Sequence, residues 1–159
     1  MARTGPPAPV IPLEHHSVRM AAVVAGFHRE VAERLLEGAR ARLHESGLPD
    51  GHLEDFWVPG AFELPLAART MALKRRYAAI IALGLVVRGE TAHFDYICTS
   101  AATGLTAVAI QTGVPCTFGV LTCETMEQAM DRSGGDKGNA GSDAADAAVA
   151  MANLVAEGR

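Results

Sequence analysis

Apolar runs of strand length alternate with segments of helical periodicity through most of the chain, and this alternation restricts its fold more than any other feature. The runs typical of buried strands are residues 20–25, 53–58, 78–87 and 116–121. Strands joined through helices form right-handed crossovers, so they build a parallel sheet that is covered on both faces. We therefore predict an α/β fold, a three-layer αβα sandwich around a four-stranded parallel sheet.

The helical segments have recognisable ends. Apolar residues three to four apart predict helices over residues 31–43, 62–76, 94–112 and 124–131, with a last helix after a glycine-rich loop at 133–141. Gly113 and Pro115, for example, end the third helix, because glycine adopts the terminal left-handed conformation and proline cannot continue a helix. The predicted buried stripe of the last helix consists of Ala148, Met151, Ala152 and Val155.

The chain divides into an arm and one domain. Residues 1–17 contain four prolines after Gly5, which block a helix and interrupt a central strand, so we predict an extended arm. Residues 18–159 are predicted to form a single domain. A chain of 159 residues buries enough apolar surface to fold without disulfides or a structural metal.

Composition excludes several classes of protein. The net charge of -4 disfavours nucleic acid as a partner, since phosphate-backbone binding needs clustered Lys and Arg. The longest apolar stretch has ten residues, too few to span a membrane, and the proline-rich N-terminus lacks the apolar core of a secretory signal. We therefore expect a cytoplasmic protein.

Cysteines and histidines give no sign of a metal site. Cys98, Cys116 and Cys123 are odd in number and lack CxxC spacing, which predicts reduced thiols, with Cys98 and Cys116 as small core residues. The histidines other than His93 lack ligand spacing, and no HExxH motif occurs. We predict that the chain binds no metal.

Chemistry is expected where strands end, because open parallel sheets bind ligands beyond the carboxyl ends of their strands. The four candidate positions are residues 26–29, 59–63, 88–93 and 122–124. Between the most apolar strand and the longest helix, Gly89 and Thr91 would offer backbone N–H groups and a hydroxyl to an anion. The segment is thus a candidate phosphate site or, alternatively, a plain strand-to-helix turn. His93 could transfer protons or simply cap the helix.

Three further residues have both a structural and a functional interpretation. Glu63 either caps a turn or accepts hydrogen bonds from ligand hydroxyls, with Phe62 as a wall of the site. Phe27 either packs in the core or offers a flat face to a planar ring. Arg132 precedes the glycine-rich loop and is either a solvated surface residue or a phosphate ligand.

Three blocks of sequence resemble the lumazine synthase family, whose members act before the last step of riboflavin biosynthesis. The blocks are VPGAFELP at 58–65, ALGLVVRGETAHFDY at 82–96 and FGVLTCETMEQAMDRSG at 118–134. The resemblance extends from Val18 to Leu154, with the blocks in the order and spacing of strand-helix units. It implies condensation of 5-amino-6-(D-ribitylamino)uracil with 3,4-dihydroxy-2-butanone 4-phosphate to 6,7-dimethyl-8-ribityllumazine, without any cofactor.

The resemblance also implies roles for individual residues. His93 would transfer protons, and Glu90, Thr91 and Arg132 would hold the phosphate. The residues implied to contact the pyrimidine or the ribityl chain are Phe27, Ala61, Phe62, Glu63, Leu85, Val86, Val87 and Phe118. Phe118 matches an aromatic residue supplied across a subunit boundary, so each active site would be built from two chains.

The chain departs from the family pattern at two positions. The family often reads GNKG before its last helix, whereas residues 138–141 read GNAG, and the nearby lysine is Lys137. Either Lys137 reaches the phosphate site or that contact is missing. Gly26 stands where the family often has an arginine, which removes a possible contact but keeps the stacking face of Phe27.

The family assembles as pentamers, and in some members twelve pentamers form a hollow shell. The arm could add to a neighbouring subunit's sheet edge, and no long insertion separates the last two helices, which favours 60 subunits over free or paired pentamers. Two other functions stay open at this point. One is a non-enzymatic flavin or nucleotide binder on a flavodoxin-like sheet, and the other is an inactive shell-forming scaffold.

Overall fold

The computed structural model describes residues 8–158, which form one main sheet, a small hairpin and five α-helices. The strands are β1 (Arg19–Ala25), β2 (Leu53–Val58), β3 (Tyr77–Val87), β4 (Cys116–Cys123), β5 (Ser133–Gly135) and β6 (Gly138–Asn139). The helices are α1 (Arg29–Glu45), α2 (Leu64–Leu73), α3 (His93–Thr112), α4 (Met126–Asp131) and α5 (Ala140–Glu157). A single 3₁₀ turn, Ala61–Glu63, precedes α2.

The main sheet has the strand order β2-β1-β3-β4 with all neighbours parallel, which confirms the predicted α/β architecture. Alternate residues of each central strand enter two separate cores. In β1, Met20 and Val24 pack toward α1 and α5, while Ala21 and Val23 pack toward α2 and α3. Burial on both faces explains why the central strands are continuous apolar runs rather than alternating ones.

Several predicted boundaries were wrong by a few residues. The second helix begins at Leu64 instead of residue 62, after the 3₁₀ turn. It ends at Leu73 instead of residue 76, since Arg75 has a left-handed backbone with φ 57°. The fourth strand continues two residues further, to Cys123. The glycine-rich loop contains the short hairpin of β5 and β6.

The buried face of α5 agrees only in part with the predicted stripe, since Ala148 and Ala152 are buried. Met151 is 41% exposed, so its assignment to the core was wrong. The buried residues of this helix are small: Gly141, Ala144, Ala145, Ala148, Val149 and Ala152. Small side chains let α5 approach α1 closely. The buried face of α5 is therefore the one that carries these small residues and not the one that carries Met151.

The cysteine prediction holds in part, since Cys116 packs against the core beneath α2 and α3. Cys123 is the buried one, while Cys98 and Cys116 are only half-buried. Burial raises the pKa of all three thiols, which favours their protonated form. Within residues 8–158, no helix has both the length and the apolar character needed to cross a membrane.

The described part of the arm lies on its own subunit. The Leu13 N–H donates to the Ser46 carbonyl at 2.8 Å, and the Leu13 side chain is buried in the core beneath α1 and α5. The Asn153 amide donates to the Pro12 carbonyl at 2.9 Å. Residues 1–7 of the predicted arm lie outside the described residues, and pairing of the arm with a neighbouring sheet stays a prediction.

Glu54, in β2, is held by several donors and supplies a pH-dependent contribution to stability. Its carboxylate accepts hydrogen bonds from Arg76, from Arg19 at 2.8 Å and from the Tyr77 hydroxyl at 2.9 Å. The Arg76 and Arg19 guanidinium groups lower the pKa of Glu54 from 4.5 to about 2. The folded state therefore favours the ionised carboxylate, and this contribution is present above pH 4.5 and disappears as the pH falls through about 2.

We expect Glu54→Gln to lower the thermal midpoint at pH 7, and we expect the difference from wild type to shrink between pH 4.5 and about 2. Thermal unfolding followed by circular dichroism over this pH range measures the effect. The control is Glu33→Gln, which removes an exposed ion pair with Arg29 on α1. A midpoint difference that is constant with pH would contradict the role of the Glu54 charge.

Candidate active site

A cavity of about 500 Å³ lies at the carboxyl ends of β1, β2 and β3. It is formed where the three strands continue into the segments that precede α1, α2 and α3. Residues predicted for the site that line this cavity are Phe27, Ala61, Phe62, Glu63, Leu85, Val86, Val87 and His93. Parallel register places these distant segments of the chain at one edge of the sheet, as expected for an open α/β fold.

The first wall of the cavity is formed by residues that come directly after β1. The Gly26 N–H donates to the Val58 carbonyl at 2.8 Å, which extends the pairing of β1 with β2 past the last strand residue. Phe27 comes next and is 80% exposed, with its ring 5.0 Å from the His28 ring at an interplanar angle of 83°. Phe27 is therefore not a core residue, and its ring is open to a planar ligand.

The second wall is the turn between β2 and α2. The Glu63 carboxylate accepts the Gly60 N–H at 2.9 Å, and the Glu63 N–H donates to the Gly60 carbonyl at 3.3 Å. This reciprocal pair is a capping arrangement, so the structural interpretation of Glu63 is correct. It also holds the carboxylate at the cavity, and Oε1 makes no hydrogen bond to any of residues 8–158.

The floor consists of the last residues of β3. Leu85 is buried in the core beneath α1 and α5, and Val86 and Val87 are half-buried. The side chain of Val86 packs toward the opposite core, because successive residues of a strand point to opposite faces. Apolar side chains and strand backbone thus form the floor of the cavity, a surface on which a flat heterocycle could lie.

The third wall is the first part of α3, where His93 and Ile97 line the cavity, and Arg88 anchors the loop that precedes this helix. The Arg88 guanidinium donates to Asp95 at 3.2 and 3.3 Å and to Glu124 at 3.0 Å, and it lies 4.2 Å from the centre of the Phe94 ring. Hydrogen bonds to Asp95 and Glu124 raise the pKa of Arg88. These contacts tie the carboxyl end of β3 to both α3 and β4, so the loop between them has a fixed path.

Residues 89–92 of this loop are exposed. A Cβ added to Gly89 would meet nothing within 4 Å, which leaves room for a ligand against the backbone. The His93 N–H donates to the Thr91 hydroxyl at 3.3 Å, and the His93 side chain is exposed at the cavity. The amino end of the 20-residue helix α3 directs its positive dipole at this loop.

Four predicted site residues do not line the cavity of their own subunit: Glu90, Thr91, Phe118 and Arg132. Glu90 and Thr91 are exposed in the loop before α3. Phe118 lies in the middle of β4, opposite Ala82, and is 44% exposed. Phe118 therefore lies three residues before the level of Leu85, the first residue of β3 that lines the cavity, and not at the carboxyl end of the sheet.

Arg132 ends α4, just beyond the carboxyl end of β4. Its guanidinium donates to the Gln128 carbonyl at 3.1 Å. Burial raises the pKa of the Cys123 thiol at the end of β4, and the charge of Arg132 opposes this increase. Lys137 is exposed in the hairpin turn, where its N–H donates to the Asp131 carbonyl at 2.9 Å.

Sequence reasoning missed His28, Gly60 and Ile97, which also line the cavity. His28 was considered only as a metal ligand, although it falls inside the candidate segment 26–29. Its position directly after Phe27 at the end of a buried strand was the available signal. Among residues 8–158, no group of three or more His, Cys, Asp or Glu side chains is arranged to hold a metal ion.

Comparison with known proteins identifies the family. The family model described as 6,7-dimethyl-8-ribityllumazine synthase matches residues 17–156. Proteins named 6,7-dimethyl-8-ribityllumazine synthase from two strains of Coxiella burnetii, CbuG_Q212 and RSA 493 / Nine Mile phase I, are each 47% identical to the chain over 141 residues. The alignments cover 89% of this chain and 93% of each relative. With most of its length matched, the chain belongs to the 6,7-dimethyl-8-ribityllumazine synthase family.

Proposed function

We propose that the chain condenses 5-amino-6-(D-ribitylamino)uracil with 3,4-dihydroxy-2-butanone 4-phosphate, giving 6,7-dimethyl-8-ribityllumazine, inorganic phosphate and water. This reaction belongs to riboflavin biosynthesis and makes the chain an enzyme of the transferase class. The observation that carries the proposal is a single cavity, in a member of this family, that holds an open aromatic face, a carboxylate and an imidazole. Neither a flavin-binding module nor an inactive scaffold is favoured by the named relatives.

The uracil substrate occupies the part of the cavity beside Phe27. The open Phe27 ring stacks on the pyrimidine, and Phe62 forms the facing wall. The backbone of Val86 and Val87 meets the polar edge of the ring. The Glu63 carboxylate, already oriented by Gly60, accepts hydrogen bonds from ribityl hydroxyls.

The phosphate substrate lies against the loop before α3. Backbone N–H groups at Glu90 and Thr91, with the Thr91 hydroxyl, donate to the phosphate at the positive end of the helix. Arg132 supplies a planar guanidinium that donates two parallel hydrogen bonds to phosphate oxygens. Arg88 contacts neither substrate and keeps the loop in place through Asp95 and Glu124.

The chemistry needs positioned substrates and proton transfer. An amine of the uracil attacks the ketone and forms an imine with loss of water, and inorganic phosphate then leaves by elimination. Elimination leaves an enol at the former hydroxyl-bearing carbon, which tautomerises to a ketone. The second amine attacks this new carbonyl and closes the ring with loss of another water. His93, at the boundary between the two substrates, accepts and returns protons in these steps, while juxtaposition of the substrates supplies much of the rate.

Two subunits complete each active site. The cavity lacks Phe118 and Arg132 of its own chain, whereas Phe118 is exposed on the edge strand β4. Further apolar side chains are exposed on the same layer of the fold: Phe62, Leu66, Leu73, Tyr96 and Ile110. A neighbouring subunit packed against this surface brings its Phe118 and Arg132 to the cavity. We place the assembly in the cytoplasm as pentamers, twelve of which close into a 60-subunit shell.

The test is to mix the purified protein with both substrates and follow the lumazine chromophore and inorganic phosphate together. We expect the two products to appear in equal amounts, and light scattering on the same sample measures the assembly. A protein that binds flavin but forms no product would be a binding module. Full shells without phosphate release would indicate an inactive scaffold.

We expect His93→Ala to lower kcat about 100-fold, at the low end of acid-base contributions, because positioning of both substrates survives. Steady-state kinetics with saturating substrates measures the change. His44→Ala is the control, since His44 is exposed near the end of α1 and does not line the cavity. If His93→Ala turned over at the wild-type rate, His93 would have no part in proton transfer.

A further inference from the structure

His28 is a second imidazole at the cavity, and the proposed chemistry gives it no part. It follows Phe27 directly, at the point where β1 continues into α1. The His28 carbonyl accepts the Ala32 N–H at 3.0 Å, so its backbone is fixed by the first turn of the helix. The half-buried side chain lines the cavity with its ring perpendicular to that of Phe27.

The ring nitrogens of His28 are available to a ligand. Neither of them makes a hydrogen bond to any of residues 8–158. Burial lowers the pKa of His28 below 6.5, so the imidazole is neutral at pH 7 and carries one N–H donor and one acceptor nitrogen. A half-buried polar group gains stability when a ligand supplies the missing partner.

No side chain of the cavity floor, nor that of Glu63, offers this pair of groups, so His28 would add to the backbone contacts of Val86 and Val87. The floor is formed by Leu85, Val86 and Val87, whose side chains are apolar. The Glu63 carboxylate accepts hydrogen bonds only, and one of its oxygens is already bonded to Gly60. In a mainly apolar cavity, a few polar side chains fix the orientation of the ligand.

We propose that His28 is a substrate-binding residue whose ring nitrogens hydrogen-bond the polar edge of the heterocycle stacked on Phe27. The identity of the heterocycle, a ribitylaminouracil, rests on the proposed function. His28 therefore sets the affinity for the uracil substrate and leaves the affinity for the phosphate substrate unchanged. Its role differs from that of His93, which lies at the loop before α3 and transfers protons.

Two substitutions separate hydrogen bonding from packing. His28→Phe keeps a flat ring against Phe27 and removes both nitrogens, whereas His28→Asn restores a donor and an acceptor without the ring. We expect His28→Phe to weaken binding of 5-amino-6-(D-ribitylamino)uracil about tenfold, measured by isothermal titration calorimetry without the second substrate. His28→Asn should recover most of the affinity, and the KM for the phosphate substrate should change less than about twofold in both variants.

Wild-type affinity in His28→Phe would overturn the proposal, because the ring would then act by packing alone. Equal loss of affinity for both substrates in both variants would also overturn it, since a structural defect of the loop produces that result. Calorimetry does not depend on turnover. A wild-type protein that binds the uracil through His28 but forms no lumazine would contradict the proposed function and support this inference.

Discussion

We expect Arg132→Ala to raise the KM for 3,4-dihydroxy-2-butanone 4-phosphate about 100-fold, because a hydrogen bond to a charged group is worth about 1.5–3 kcal/mol and a bidentate pair is lost. The KM for the uracil substrate should change little, since the proposal assigns Arg132 to the phosphate and Phe27 to the pyrimidine ring. Steady-state kinetics with each substrate varied in turn measures both constants. An unchanged KM for the phosphate substrate would remove Arg132 from the phosphate site.

Two further variants test whether the effect on the KM for the phosphate substrate is specific to Arg132 and whether Lys137 also contributes. Arg40→Ala removes an exposed arginine of α1 that pairs with Asp55 at 3.0 Å, and it should leave both KM values unchanged. Lys137→Ala decides whether Lys137 takes the place of the family's lysine near Ala140. A rise in the same KM would place Lys137 at the phosphate, and no change would show that this contact is missing.

Mixed assemblies test whether Arg132 acts on its own cavity or on a neighbour's. Arg132→Ala subunits retain Phe27, and Phe27→Ala subunits retain Arg132. If neighbouring chains share each site, equal mixing restores about a quarter of the sites to native composition. If both residues serve the same subunit, no native site forms and the mixture has only the summed activity of its components.

We expect Gly141→Ala to lower the free energy of unfolding by about 3 kcal/mol, because it overpacks the contact between α1 and α5. An added Cβ at Gly141 would lie 2.0 Å from the Leu35 carbonyl oxygen, which belongs to helix backbone and cannot rotate away. Asn139 holds α5 at this distance, since its side chain caps α5 and donates to the Arg34 carbonyl at 3.0 Å.

Thermal unfolding measures this effect, and a loss of 3 kcal/mol corresponds to a midpoint about 6 to 12 °C lower in a domain of this size. Gly158→Ala is the matched control. A Cβ there would have no neighbour closer than 3.8 Å, so we expect a change of no more than about 0.5 kcal/mol. A wild-type midpoint in Gly141→Ala would contradict this prediction, because α1 and α5 would then accommodate the added Cβ by moving apart without loss of stability.

Much of the fold was predictable from the sequence, because the hydrophobic pattern of most segments agrees with their burial in the structure. The runs at 20–25 and 78–87 are apolar at every position because β1 and β3 are covered on both faces. Prediction of α5 was less successful, because the size of Met151 suggested burial. The close approach of α1 selects small residues instead, and periodicity within one helix carries no information about the helix that packs against it.

The candidate site, like the fold, could be predicted from the sequence only in part. Phe27, Glu63 and His93 each follow a strand end, so their meeting at one edge of the sheet could be predicted from parallel connections. His28 was missed because it was considered only as a metal ligand, although its position after Phe27 at the end of β1 was a usable signal. Its side chain reaches the cavity because the first turn of α1 fixes its backbone.

The sequence by itself determined the layered fold, the strand ends that carry ligands, and the blocks shared with the family, because these depend on patterns local to each segment. Only the tertiary structure decided which residues share one cavity and which lie apart from it. Phe118 lies in the middle of β4 and Arg132 lies beyond its end, and neither lines the cavity of the same chain. Such separations depend on strand order and side-chain direction, which arise from packing across the whole sheet.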